Sequence, residues 1–259
     1  MDTLTISFSD YVATVTLNRP EVRNAFNETT IAEITQTFRD LAANDNIRAI
    51  VLAANGSAFC AGADLNWMKK MADYSHEENL ADAGQLAEML RTIYYCPQPV
   101  VAKVQGDCYA GGMGLVAACD IAVSADVANY CLSEVKLGLI PATISPYVIK
   151  AMGESAARRY FVTAERFSAA EAHRIGFVHE LVSAEALDEK VAEIVKSLVS
   201  NSPNAVRQAK RLVQTVASRE LTGELIATTV EGIAHIRAAD EGREGVRSFL
   251  EKRKPGWLL

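Results

Sequence analysis

The residues whose types and spacing could do chemistry are two short runs of small residues and one acid. The runs are FCAGADL at Phe59–Leu65 and AGGMGL at Ala110–Leu115, and the acid is Glu134 in LSEVKLGLIP. A backbone N–H can stabilise an anionic oxygen only where its residue permits close approach and no helix or sheet bond has already claimed it. First-turn residues of a helix meet both conditions. Ala63 follows Gly62 at the start of a helix expected through Asn66–Met71, and Gly111 opens a helix expected over Met113–Ala118, so each offers such an N–H. Two donors converging on one carbonyl oxygen would stabilise an enolate, since losing a single donor of this kind costs about 3 kcal/mol of transition-state stabilisation. A carboxyl group near the carbon beside that carbonyl could then move its proton, best with a pKa raised by apolar surroundings. Cys131, Leu132, Val135 and Leu137 supply such neighbours to Glu134. Either glycine turn alone is a weak signal; the order of all three segments is the specific one.

Other reactive side chains read as structural. Asp120, between an apolar helix and an apolar strand, stands where a buried carboxylate serves caps and turns. His76, His173, His179 and His235 are scattered without ligand-like spacing, so no metal site is expected. Cys60 reads as a small buried hydrophobe rather than a nucleophile. The five cysteines are odd in number and contain no CxxC pair, which suits free thiols in a reducing cytoplasm. A net charge of −6 argues against nucleic acid as the main partner. No signal peptide or membrane span is expected, because no stretch approaches about 20 uninterrupted apolar residues.

The elements that must position these residues follow from hydrophobic period. Residues 3–8 and 11–17 read as a hairpin, and Asn27 caps a helix expected over 28–43 with Ile31, Ile34, Phe38 and Leu41 on one face. Arg48–Ala53, Pro99–Val104 and Asp120–Ser124 are short apolar strands, the first two leading into the glycine turns. Strands apolar on both faces and separated by helices predict an α/β core with a parallel sheet. Beyond residue 180 the pattern is wholly helical, which divides the chain into a core over 1–180 and a helical region over 181–259.

The order strand–FCAGADL–helix–strand–GDCYAGGMGL–helix–strand–SEVKLGLIP resembles the enoyl-CoA hydratase/isomerase (crotonase) superfamily over nearly the full chain. NRPEVRNAF at Asn18–Phe26 and RFSAAEAHRIGFVHELV at Arg166–Val182 add to the resemblance. It implies a crotonase-like α/β fold, a repeated β-β-α spiral core followed by a C-terminal helical trimerisation domain. It also implies that the N–H groups of Ala63 and Gly111 hold a thioester carbonyl and that Glu134 moves the proton beside it. Coenzyme A would then be met by Val22, Arg23 and Ala25, by backbone at Ala61, Ala63, Asp64 and Leu65, and by Tyr109. Phe249 and Lys252 would reach the CoA of a neighbouring subunit in a homotrimer or dimer of trimers. CoA arrives as part of the acyl-CoA substrate, and no separate cofactor is implied.

Gly114 stands where the family carries a second glutamate, the one paired with water. One carboxylate could shuttle a proton between two carbons, which suits a 3,2-enoyl-CoA isomerase. The finer resemblance of FCAGADLNWMK, SEVKLGLIPATISPYV and RRYFVTAERFSAAEAHRIG is to members that hydrate glutaconyl-type thioesters, notably 3-methylglutaconyl-CoA in leucine breakdown, and this reading is preferred. The distal carboxylate of such a substrate would need a partner among Lys69, Lys70, Lys136 and Tyr109. A catalytically silent CoA- or RNA-binding protein is the alternative of another class. A glutamate placed at position 114 is expected to be tolerated or to alter specificity.

Overall fold

Leu4–Ser9 (β1) and Val12–Leu17 (β2) pair antiparallel as the expected hairpin in this computed structural model, which describes residues 1–258. The side chain of Asn27 accepts the Thr30 N–H and so starts α1 (Glu28–Ala42), whose buried stripe is Ile31, Ile34, Phe38 and Leu41. The chain then alternates between two sheets. β3 (Ala49–Ala54) joins the hairpin, β4 (Ala58–Cys60) starts a second sheet, and α2 (Leu65–Met71) and α3 (His76–Tyr94) follow. β5 (Val100–Val104), β6 (Asp107–Tyr109) and α4 (Gly111–Ala118) repeat that order, as do β7 (Ile121–Ala125), β8 (Asn129–Cys131) and α5 (Ser145–Thr163). β9 (Phe167–Ser168), α6 (Ala169–Arg174) and β10 (Glu180–Val182) close the two sheets, and α7 (Leu187–Ser200), α8 (Pro203–Val216), α9 (Gly223–Ala238) and α10 (Asp240–Leu250) complete the chain.

The larger sheet runs β1-β2-β3-β5-β7-β10 and is parallel from β2 onward. β3 is buried along its whole length, and strand alternation explains how. Ile50 and Leu52 enter the main core, while Val51 and Ala53 meet Val101, Val123, Leu187 and Val191 on the other face. Helix α7 therefore covers the second face, as a parallel sheet requires. β10 spans Glu180–Val182, so the sheet itself reaches past the 180/181 division that the helical signal suggests. Helix α8 is tied to the core by Lys210, whose Nζ donates to Asp120 Oδ2 (2.6 Å) and to the Gln98 carbonyl (3.1 Å). Among the described residues, no helix is long and apolar enough to cross a membrane.

The smaller sheet sets up the site. Its order is β4-β6-β8-β9, with β4, β6 and β8 adjacent and parallel. Three parallel neighbours present their C-terminal ends at one edge, the place where open α/β sheets hold ligands. The chain leaves those ends through residues 61–63, 110–111 and 132–134, the three segments singled out by residue type.

Candidate active site

Close backbone contacts lock the three exits together. Ala110 N–H donates to the Cys131 carbonyl (2.8 Å), joining the second exit to the third. Gly62 joins the first to the second: it has φ +93°, and a Cβ built on it would stand 3.1 Å from Ala110 Cβ and 4.0 Å from Gly111 N. Both the backbone conformation and the lack of room therefore call for glycine there.

Two N–H groups stand free at this junction. Phe26 lies beside Ala63 as an isolated parallel bridge, its N–H donating to the Gly62 carbonyl (2.9 Å) and its own carbonyl accepting Asp64 N–H (3.0 Å). In that pattern the N–H of Ala63 points away from Phe26. Gly111 is the first residue of α4, where an N–H has no intrahelical acceptor. Among the described residues, neither N–H has a hydrogen-bond partner. Ala110, just before, holds φ 48° and ψ −122°, a conformation that costs a non-glycine residue of order 1–3 kcal/mol and turns the chain from β6 into α4. Close packing fixes the turn: a Cβ on Gly111 would stand 2.3 Å from Phe26 Cζ, and one on Gly112 would stand 2.8 Å from both Cβ and O of Cys60.

Glu134 leaves the end of β8 at the start of a short 3-10 turn, Glu134–Leu137, which Gly138 closes at φ 73°. Its carboxyl group is half-buried, and Oε2 is fully buried without a hydrogen-bond partner. Burial pushes its pKa above the ordinary glutamate value, opposed only by a hydrogen bond to its own backbone. A carboxyl of this kind is poised to hold or release a proton, and the free N–H pair can hold an anionic oxygen.

Arg19 braces the first exit, a role the residue pattern did not flag. It donates through Nη2 to Asp64 Oδ2 (2.8 Å) and through Nη1 to the Ala25 carbonyl (2.7 Å), clamping residues 23–26 to residues 61–64. Asp64 also caps α2, accepting Asn66 N–H at 2.8 Å. Burial pulls the Asp64 carboxyl upward, but the Asn66 N–H and Arg19 outweigh it and hold it below the usual range. Asp64→Ala should therefore lower stability by roughly 1–2 kcal/mol, mostly through the lost cap. Because the folded pKa is depressed, this contribution is present above the unfolded value of about 3.9 and is lost as pH falls through the folded one. Thermal melting should show a gap between wild type and Asp64→Ala that is full at pH 7 and shrinks below about pH 4.

The remaining candidates are placed as follows. Val22 and Arg23 are exposed, and the Arg23 carbonyl accepts Ala61 N–H (3.0 Å), so residues 22–25 and 61–65 share one ledge; Ala25 is buried in it and Leu65 is 74% exposed on it. The Tyr109 hydroxyl is committed to Asp107 Oδ2 (2.7 Å), and Lys70 is paired with Glu28 (2.9 Å), which leaves the exposed Lys69 and Lys136 among the cations considered for a distal carboxylate. Phe249 and Lys252 are exposed on and just after α10, which packs on α8 and α9. Asp120 serves Lys210 and Val100 N–H, and Cys60 is fully buried with its thiol pushed up to about 12 by burial, far from thiolate chemistry at neutral pH. Among the described residues, no group of three or more His, Cys, Asp or Glu side chains could hold a metal.

Position 114 corrects one expectation. A Cβ on Gly114 would stand 2.3 Å from Ile144 Cγ2 and 2.9 Å from Ile144 Cβ, so a glutamate there is not simply accommodated. The space belongs to Ile144, a residue 30 positions downstream that no local pattern connects to Gly114.

The chain is similar to known proteins along nearly its whole length. Residues 7–258 match the family model described as enoyl-CoA hydratase/isomerase. The chain is 30% identical, over 91% of its length and 77% of the relative's, to enoyl-CoA hydratase ACTT6 of Alternaria alternata. Among solved structures, an enoyl-CoA hydratase from Shewanella pealeana superposes with a TM-score of 0.96 at 42% identity, covering 98% of this chain and 96% of the other. An enoyl-CoA hydratase from Mycobacterium smegmatis gives 0.93 at 33% identity, covering 99% of each chain.

Proposed function

The chain belongs to the enoyl-CoA hydratase/isomerase family, and on that premise we propose that it adds water to a 2-enoyl-CoA thioester with Glu134 as its one acid–base group. The observation that carries this reading is the buried, unpartnered Oε2 of Glu134 at the same sheet edge as the free N–H groups of Ala63 and Gly111. The thioester oxygen accepts from those two N–H groups. Water attacks Cβ while one carboxylate oxygen of Glu134 takes its proton, and the C=C electrons move onto the thioester as an enolate. The carboxyl group then gives a proton to Cα, so that one water supplies both additions from one face and Glu134 is regenerated.

The proposed substrate class is a branched glutaconyl thioester such as 3-methylglutaconyl-CoA, an intermediate of leucine breakdown. The likeness of Phe59–Lys69 and Ser133–Val148 to the branch that handles such substrates supports it. CoA would lie along residues 22–25 and 61–65 and be completed by Phe249 and Lys252 of a neighbouring copy in a trimer or dimer of trimers. The exposed apolar residues Leu212, Val213, Ile226, Val230, Ile233 and Val246 of the C-terminal helices support such an assembly. The reaction needs no cofactor beyond the CoA that the substrate carries, and the five free thiols suit the cytoplasm.

A second reading is favoured by the aliphatic packing at Gly114. With Ile144 in the space of a second acid, one carboxylate could take a proton from Cα of a 3-enoyl-CoA and return it to Cγ, an isomerisation. Incubating the purified protein separately with 3-methylglutaconyl-CoA, crotonyl-CoA and a 3-enoyl-CoA separates the readings by mass. The proposed hydratase should add the mass of one water to the first. Conversion of the third at constant mass, without hydration of the first, would make the protein an isomerase, and no reaction with any of them would make it a binding protein.

A further inference from the structure

Phe26 meets the chain at both free N–H groups. Its backbone bridges Ala63, with its N–H on the Gly62 carbonyl (2.9 Å) and its carbonyl on Asp64 N–H (3.0 Å). Its ring lies against Gly111, where an added Cβ would stand 2.3 Å from Cζ, 2.9 Å from Cε1 and 3.4 Å from Cε2. One residue therefore spans the pair, backbone to one donor and ring to the other. The length of its side chain sets how closely the start of α4 approaches the first exit.

Such a spacer works only if both of its ends are fixed. The backbone end is held on either side of residue 26. Asn24 is 3% exposed; its Nδ2 donates to the carbonyls of Asn55 (2.7 Å) and Ala58 (2.9 Å), and its Oδ1 accepts Arg19 N–H (2.9 Å). Asn27 accepts Thr30 N–H (3.0 Å) and starts α1. The ring end is backed by Trp67 of α2, with ring centroids 5.9 Å apart and planes at 52°. Trp67 is itself 3% exposed, and its Nε1 donates to Asp82 Oδ1 of α3 (3.0 Å). In a close-packed interior the ring cannot drift from Gly111 without moving these neighbours.

We propose that Phe26 is a positioning residue: its ring, backed by Trp67, sets the spacing between the N–H groups of Ala63 and Gly111 and so how strongly the pair holds an enolate oxygen. This rests on the two-donor site of the proposed function and adds the residue that fixes its geometry. Leucine has no counterpart of Cε1, Cε2 or Cζ. Phe26→Leu thus removes the three ring atoms that meet Gly111 and leaves the backbone bridge in place.

The test uses acetoacetyl-CoA, which loses a proton from the carbon between its carbonyls to the buffer and whose enolate absorbs in the near ultraviolet, so no turnover is needed. Two converging donors lower the pH midpoint of that ionisation in the bound probe. In Phe26→Leu the midpoint should rise by about one pH unit, equivalent to tenfold weaker enolate stabilisation. Binding of the neutral probe at low pH should change little. In turnover, kcat should fall by about 10- to 100-fold, up to what a 1 Å misplacement costs, with a smaller change in KM. Phe38→Leu is the control for a merely structural role, because this phenylalanine of α1 is 0% exposed and lies outside the site; it should lower Tm and leave the midpoint in place. Gly111→Ala should raise the midpoint less in the Phe26→Leu background, where its methyl group has room, than in the wild type. Trp67→Phe, which keeps a ring beside Phe26 but gives up the bond to Asp82, is the milder variant and should raise the midpoint by a smaller amount. An unchanged midpoint in Phe26→Leu or Trp67→Phe, the same rise in Phe38→Leu, or an equal effect of Gly111→Ala in both backgrounds would overturn the proposal. A wild type that binds the probe without lowering its midpoint would do so too. A wild type that lowers the midpoint yet hydrates no thioester would count against the proposed reaction alone, and the probe would still decide the role of Phe26.

Discussion

Glu134→Gln should lower turnover of every accepted thioester by about 10²- to 10⁴-fold, the span for removing one positioned acid–base group, and toward the upper end because no second group shares the work. Thioester binding should survive, since the N–H groups of Ala63 and Gly111 and the ledge of residues 22–25 and 61–65 are untouched. The variant should also be more stable than the wild type at neutral pH. Burial raises the Glu134 pKa, so the folded state disfavours the ionised form that the unfolded chain tolerates. An acid whose folded pKa is raised costs no stability below its unfolded value of about 4.3 and costs progressively more as pH rises through the folded one. The melting advantage of Glu134→Gln should therefore be absent near pH 4 and present at pH 7. In the wild type, kcat/KM for hydration should fall on the acid side with a midpoint above the ordinary glutamate value, because the resting carboxylate must be free to accept the proton of water. Steady-state kinetics with binding by calorimetry separates the effects; a variant that loses binding along with turnover would move Glu134 out of the acid–base role.

The second large effect is expected at Gly111. Gly111→Ala places a methyl group where Phe26 Cζ stands 2.3 Å and Cε1 2.9 Å away, so either the ring or the first turn of α4 must move. Moving the ring is not harmless, because Phe26 is the residue whose N–H and carbonyl hold Gly62 and Asp64 and so aim the N–H of Ala63. One methyl group thus disturbs both donors. The expected loss is about 10²- to 10³-fold in kcat, the magnitude for one oxyanion donor, with a smaller change in KM. Gly84→Ala in α3, where nothing lies within 4 Å of the added Cβ, is the control and should leave kcat unchanged. A Gly111→Ala enzyme with wild-type kcat would mean that its N–H does not touch the reacting oxygen.

The large sheet was legible from its apolar runs because β3, β5 and β7 are buried on both faces and declare themselves by composition. The small sheet was not. β4, β6 and β8 are three residues each, too short for any alternation to register, and Phe59–Leu65 and Gly106–Gly112 read only as turns. What the turns lacked in period they supplied in residue type, so Ala63, Gly111 and Glu134 could be singled out before the strands that align them were known. Helix α3 carried a readable start in the Ser75/Glu78 capping box, but its weakly amphipathic body hid the rest. Arg19 and Ile144 act through partners 45 and 30 residues away, Asp64 and Gly114, and such contacts leave no trace in local spacing. The strain at Ala110 was likewise invisible, since alanine announces no positive φ.

The central claim, that Glu134 delivers the proton beside the thioester carbonyl, is tested most directly by running the reaction of 3-methylglutaconyl-CoA in deuterium oxide with wild type and Glu134→Gln, and following the product by mass spectrometry and NMR. The wild type should place one solvent deuterium on the carbon next to the carbonyl, and Glu134→Gln, with thioester bound, should place none on the same timescale. Deuterium appearing at that carbon at the wild-type rate in Glu134→Gln would contradict the account.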